Sequence, residues 1–127
     1  MNILITGVAG LIGCNFSHYL LENKDKLGIK QIFGIDNLSG GYEDNLPIHN
    51  DFYFYQIDLT KDFAEIENIF KKENIDYIFH FAAYAAEGLS PFIRVFNYQS
   101  NVISTAFLIN MAIKYSIKRY REKIQVC

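Results

Sequence analysis

Three glycines spaced three apart, Gly7, Gly10 and Gly13, close the apolar run Ile3-Leu4-Ile5 of this 127-residue chain. The pattern predicts a strand that turns into a helix around a phosphate. Gly7 supplies backbone angles that a side chain would forbid, Gly10 lets the main chain approach a ligand, and Gly13 lets the helix pack on the strand. The helix start adds unpaired N–H groups and a partial positive charge, which suit a pyrophosphate. An acid follows where such a ligand needs one. Asp36 ends the second apolar run, roughly 20 residues beyond the turn, where a carboxylate can accept hydrogen bonds from ribose hydroxyls. The same charge repels a 2′-phosphate, and no Arg or Lys stands between Asn37 and Asp58 to attract one. NAD is therefore favoured over NADP. Asp58, after the third apolar run, is expected at the adenine edge. Both acids also have a plainer reading as solvated turn residues. No Gly-Lys-Ser or Gly-Lys-Thr follows the glycines, so a P-loop is excluded.

Elsewhere the chain is sparing with reactive side chains. Its two cysteines, Cys14 and Cys127, lie at opposite ends and have neither disulfide nor metal-ligand spacing. Cys14 reads as a buried helix filler, with an activated thiolate at a helix start as the alternative. A net charge of −2 gives no electrostatic reason to expect nucleic acid or an acidic membrane. The 16% of aromatic residues fall at core spacings with no basic groove beside them, so they are read as packing and not as base-stacking surfaces. Lys118 to Lys123 reads as a solvated end. No apolar run reaches the roughly 18 residues of a membrane span, and the chain enters its first strand without a leader pattern, which predicts a cytoplasmic protein.

The elements that must position these residues are legible as an alternation. Leu11, Ile12, Phe16, Tyr19, Leu20 and Leu21 recur at helical spacing, and Asn23 to Gly28 ends that helix. Gln31-Ile32-Phe33-Gly34-Ile35 has the apolar character of a buried parallel strand. Residues 37–51 hold two adjacent glycines and a proline and predict a surface loop with, at most, a short helical turn. Phe52 to Ile57 is a third strand, Phe63, Ile66, Ile69 and Phe70 mark a second helix, and Asp76 to Ala82 is a fourth strand. Ser90-Pro91 predicts a capped helix start, and the helix should run to about Tyr115. Four strands alternating with helices imply one α/β domain, a Rossmann-type doubly wound parallel sheet over residues 1–127, with no internal repeat or linker.

Five ordered segments then carry a family resemblance: residues 6–13, Asp36-Asn37-Leu38-Ser39, Asp58-Leu59, His80-Phe81-Ala82-Ala83 and Asn101-Val102. Together they resemble the extended short-chain dehydrogenase/reductase family, and within it the NAD-dependent nucleotide-sugar epimerases and dehydratases. The resemblance implies that Gly7, Gly10, Leu11 and Ile12 lie on the pyrophosphate, and Asp36 and Asn37 on the adenosine ribose. It puts Ser39, Gly40 and Gly41 beside the adenosine, and Asp58 and Leu59 at the adenine. Phe81, Ala82 and Ala83 would line the nicotinamide-ribose half, with Asn101 reaching in from the long helix. His80 is expected to be a structural hydrogen-bonder. The loop Tyr84-Ala85-Ala86-Glu87-Gly88 lacks the lysine that epimerases of the family often place there.

Family members oxidise a sugar hydroxyl with a tyrosine whose proton affinity is lowered by a lysine four residues on. None of the nine tyrosines here has that lysine; Tyr115 has Arg119, which keeps its proton. No catalytic residue is therefore assigned, and no metal ligand. After Ser116-Ile117-Lys118-Arg119-Tyr120, where the family enters strand five, the charged Arg121-Glu122-Lys123 does not read as a buried strand. The expectation is a fold truncated after about four strands, without a substrate lobe and with the edge Tyr77, Ile78 and Phe79 unpaired. By resemblance, a homodimer would use the helices after strand four, with Val95, Phe96 and Phe107 at the interface. Three readings stand: part of an NAD-dependent nucleotide-sugar epimerase or dehydratase, inactive by itself; a non-catalytic NAD-binding or interaction module; and a gene remnant.

Overall fold

Every second residue of the opening strand faces the same side, and this divides the core in two. A computed structural model describes the backbone of residues 1–122 and the side chains of residues 1–119. Strand β1 (Asn2–Thr6) sends Ile3 and Ile5 to one face of the sheet, where they meet Val8, Leu20, Leu21, Ile29 and Ile32 under helix α1 (Leu11–Glu22). Leu4 points to the other face. There it joins Phe33, Ile35, Ile66, Ile69, Phe70, Ile78, Leu108 and Met111 beneath α3 (Phe63–Glu73) and α5 (Ser104–Lys114). Leu4, Ile5, Ile35, Ile66, Ile78 and Leu108 are wholly enclosed. Burial of such side chains stabilises the fold by about 1.5–3 kcal/mol each.

The sheet has five parallel strands in the order β3-β2-β1-β4-β5, with β2 at Gln31–Asp36, β3 at Phe52–Gln56, β4 at Tyr77–His80 and β5 at Arg119–Glu122. The Rossmann-type α/β fold expected from the sequence is present. The fifth strand is the departure from expectation: Arg119 pairs with Tyr77 and Glu122 with His80, so the β4 edge is covered. Parallel pairing uses backbone groups, and an outermost strand does not need the apolar run that a central one needs. Its entry is fixed by Asp76. That carboxylate takes the Lys118 ammonium at 2.6 Å and the Asn2 backbone N–H at 2.9 Å, while Lys118 N–H donates to the Asp76 carbonyl at 3.1 Å.

The helical segments also differ in detail. Residues Lys24–Leu27 form a one-turn helix α2, which Gly28 ends in the left-handed conformation at φ 67°. Ser90 does not cap a long helix. It opens a 3-10 turn, Ser90–Phe92, whose N-cap is Leu89 with no side-chain cap bond. Helix α4 (Arg94–Asn97) follows, then a π-helical turn, Tyr98–Ile103, and then α5. Phe107, expected at a dimer interface, is partly buried against the core and packs on Phe63 with ring centroids 4.5 Å apart. Phe92, Val95, Tyr98, Val102 and Ile113 stand in solvent along the outer side of the same helical stretch.

Candidate dinucleotide-binding cleft

All the strands point their carboxyl ends the same way, and the order reverses between β1 and β4. A crevice must open there, because the connections leave β1 and β4 toward opposite sides. The cleft has a volume of about 440 Å³. Its floor is the glycine turn. Gly7 has φ +69°, and a Cβ on it would stand 2.6 Å from the Ala82 nitrogen. A Cβ on Gly13 would stand 2.1 Å from the Gly7 carbonyl oxygen. These two positions exclude any side chain, one through the left-handed backbone and both through contact with main chain. Gly10 is the N-cap of α1 and carries no side-chain cap, so the first N–H groups of the helix are directed at open space. The cradle fits a diphosphate.

Asp36 ends β2 beside this turn. One carboxylate oxygen accepts the Ala9 N–H at 3.0 Å and the other the Leu38 N–H at 2.9 Å. The charge is thereby fixed in place, with lone pairs left for a ligand. Leu38 occupies the left-handed region at φ 59°, a strained geometry for a branched side chain, which bends the loop back over the site. The loop is braced from its far side as well. Asn45 Nδ2 donates to the Ala9 carbonyl at 3.0 Å, and Gly41 packs against Ala9. At the end of β3, Asp58 accepts the Thr60 N–H at 2.9 Å and the Thr60 hydroxyl at 2.7 Å. Partial burial opposes its ionisation, yet hydrogen bonds from Thr60 and Asn37 and the nearby Lys61 hold the carboxyl below the usual carboxylate range.

Beneath the other half lies a buried polar chain. His80 Nδ1 is 2.5 Å from the Thr6 hydroxyl, and Nε2 is 2.9 Å from the Thr105 hydroxyl. Thr105 donates to the Asn101 carbonyl at 2.7 Å, so its oxygen accepts from His80 Nε2–H, and Thr6 donates to Nδ1. Burial pushes the imidazole down to about 4, which keeps it neutral. His80 is structural, as expected. Tyr115 is likewise structural: its hydroxyl donates to Glu67 at 2.8 Å, outside the cleft. Cys14 is only half-buried, its thiol turned to the Leu11 carbonyl at 3.4 Å.

Of the residues expected around a cofactor, Gly7, Gly10, Asp36, Asn37, Ser39, Gly40, Gly41, Asp58, Leu59, Phe81, Ala82 and Ala83 line the cleft. Leu11 and Ile12 do not. They are 80% and 45% exposed on the surface of α1. Asn101 does not line it either: its amide is bonded to the backbone of Tyr84. The sequence reading missed Ile35, Ile57, Thr60, Tyr84, Phe96 and Ser100. Ile35 and Ile57 are the last apolar residues before the two acids. Phe96 and Ser100 lie four apart on one helical face, a spacing that points both at the same neighbour. Among the described residues no group of His, Cys, Asp or Glu is placed to hold a metal ion, and no helix is long and apolar enough to cross a membrane.

Fold, glycine turn and strand-end acid together define a Rossmann-type protein. The chain belongs to the NAD-dependent epimerase/dehydratase family, whose model matches residues 3–122. It is 34% identical over 119 residues to a UDP-glucose 4-epimerase of Halalkalibacterium halodurans, an alignment covering 94% of this chain and 33% of that protein. Among solved structures it resembles the Thermotoga maritima UDP-glucose 4-epimerase bound to UDP-glucose, with TM-score 0.84, 33% identity, and coverage of 96% of this chain and 37% of the other. The Thermus thermophilus UDP-glucose 4-epimerase in complex with NAD gives TM-score 0.82 and 27% identity, covering 94% and 36% of the two chains. The chain spans about a third of the length of the curated relatives it matches.

Proposed function

We propose that the chain is an NAD-binding unit of a nucleotide-sugar epimerase or dehydratase and that these 127 residues hold the dinucleotide without turning over a sugar. The observation that carries this reading is the Asp36 carboxylate, fixed by the Ala9 and Leu38 N–H groups beside the uncapped start of α1. Asp36 and Asn37 take the adenosine ribose, Asp58 and Leu59 the adenine, and Ser39, Gly40 and Gly41 its open side. The backbone at Gly7, Gly10, Leu11 and Ile12 takes the pyrophosphate, and Phe81, Ala82 and Ala83 line the nicotinamide half. NAD, when bound, accepts and returns the hydride of a sugar carbinol. No tyrosine here has a lysine four residues on to take the hydroxyl proton, which supports a binding role without turnover. The reading treats the chain as one cytoplasmic domain, with a nucleotide sugar as the substrate of the whole enzyme. A homodimer would rest on Val95 of α4, which is 73% exposed, whereas Phe96, expected beside it, turns its ring to Tyr84 in the cleft.

Calorimetric titration of the purified chain with NAD tests the reading. Saturable binding is expected, weakened at least tenfold by Asp36→Ala and weaker for NADP than for NAD. A folded, soluble sample that shows no saturable heat would overturn it.

A further inference from the structure

The amide of Asn101 does something that its position in the family pattern does not specify. Its Oδ1 accepts the Tyr84 N–H at 2.7 Å, and its Nδ2 donates to the Tyr84 carbonyl at 3.0 Å. One side chain thus pairs with both backbone groups of a single residue, as a neighbouring strand would, in a stretch after β4 that has no regular structure of its own. Asn101 is itself firmly held. It sits in the π-helical turn, and its carbonyl accepts from Thr105, which is bonded to the buried His80. Rigid support therefore runs from the core to the rim of the cleft. At that rim the Tyr84 ring meets Phe96 edge to face, centroids 4.8 Å apart and planes at 89°. Both rings line the cleft on the β4 side, across the glycine turn from Asp36.

We propose that Asn101 is a positioning residue that acts on the nicotinamide half of the dinucleotide through Tyr84, whose ring it fixes against Phe96 as a wall of the cleft. The inference rests on the cofactor reading above. An extended loop fixed before binding loses less conformational freedom when the ligand arrives. The loop carries no lysine, so an ordered aromatic wall is what this chain offers there. The consequence is selective: disturbing Asn101 should affect a ligand that has a nicotinamide and spare one that lacks it.

The test compares NADH with ADP-ribose on the full chain. The protein has no tryptophan, so NADH fluorescence anisotropy reads binding cleanly, and ADP-ribose is measured by competition. Asn101→Ala should weaken NADH about 5–10-fold, the value of one or two hydrogen bonds, and leave ADP-ribose within about twofold. Equal losses for both ligands, or no loss for either, would overturn the proposal. If Asn101→Ala does not fold, Tyr84→Ala decides, because it removes the ring and keeps the backbone pairing: the same selective loss is expected, and unchanged selectivity overturns. Wild-type chain that binds neither ligand would overturn the cofactor reading and this role with it. Wild-type chain that binds both, with variants of unaltered selectivity, overturns this role alone.

Discussion

Two glycines of the turn differ in what a methyl group would meet. At Gly13 it would stand 2.1 Å from the Gly7 carbonyl oxygen, and the helix would have to move off the strand. Gly13→Ala should therefore cost the fold about 2–4 kcal/mol in urea denaturation, the scale of an overpacked core with a displaced backbone. Gly10 has φ −79° and ψ 169°, which alanine adopts freely, and its nearest atom would be 3.3 Å away. Gly10→Ala should change stability by less than about 1 kcal/mol, yet weaken NAD strongly in the same calorimetric titration, because the methyl stands where a ligand would approach. A Gly10→Ala variant that binds NAD as tightly as wild type would show that the ligand does not come close there. Stability and binding separate at the level of single methyl groups.

At the level of elements, His80 ties β1, β4 and α5 together through Thr6 and Thr105. Its imidazole titrates near 6.5 in the unfolded chain and, through burial, near 4 in the folded one. Between those values the unfolded state holds more protons. The contribution is fully present above pH 6.5 and is lost as pH falls toward 4, by roughly 3 kcal/mol. Urea midpoints measured from pH 7 to 4.5 should fall for the wild type and fall much less for His80→Asn. Glu67, whose carboxyl Lys114 and then Tyr115 hold at about 2, loses its own contribution only as pH falls through 4.5, at the acid end of that window. How much of this was legible in the sequence follows from what each element buries. Strands β1, β2 and β4 announce themselves because they lie inside the sheet with both faces covered, which demands apolar runs, while β3, at the far edge, shows itself by its aromatic residues Phe52 to Tyr55. Strand β5 is held by backbone pairing and by Lys118 on Asp76, and neither leaves an apolar signature. In the cleft, glycines and acids were readable because their chemistry is specific. Tyr84 and Phe96 were not, since an aromatic ring at helical or loop spacing looks the same whether it faces a core or a ligand. Asn101 was recognised by position, but what its amide touches depends on a loop seventeen residues away.

At the scale of the whole molecule, exposed apolar residues stand on α1, at Leu11 and Tyr19, and in greater number along the stretch from Ser90–Phe92 through α5. Phe92, Val95, Tyr98, Val102 and Ile113 are each more than half exposed. A face of this kind favours association. Sedimentation should show self-association that rises with concentration, and Val95→Asp should shift the chain toward monomer; a wild type that stays monomeric throughout would argue against pairing on this face. The strand order has a consequence in time as well as in space. Strand β1 is the first element made, yet it lies in the middle of the sheet, and its second neighbour is Tyr77–His80. While a ribosome adds about 5–20 residues per second, β1 can pair with β2, and β2 with β3, seconds before β4 emerges. For that interval the nascent chain presents Ile3, Leu4 and Ile5 as a bare edge, the kind of surface that a chaperone binds or that a second nascent chain mistakes for its own.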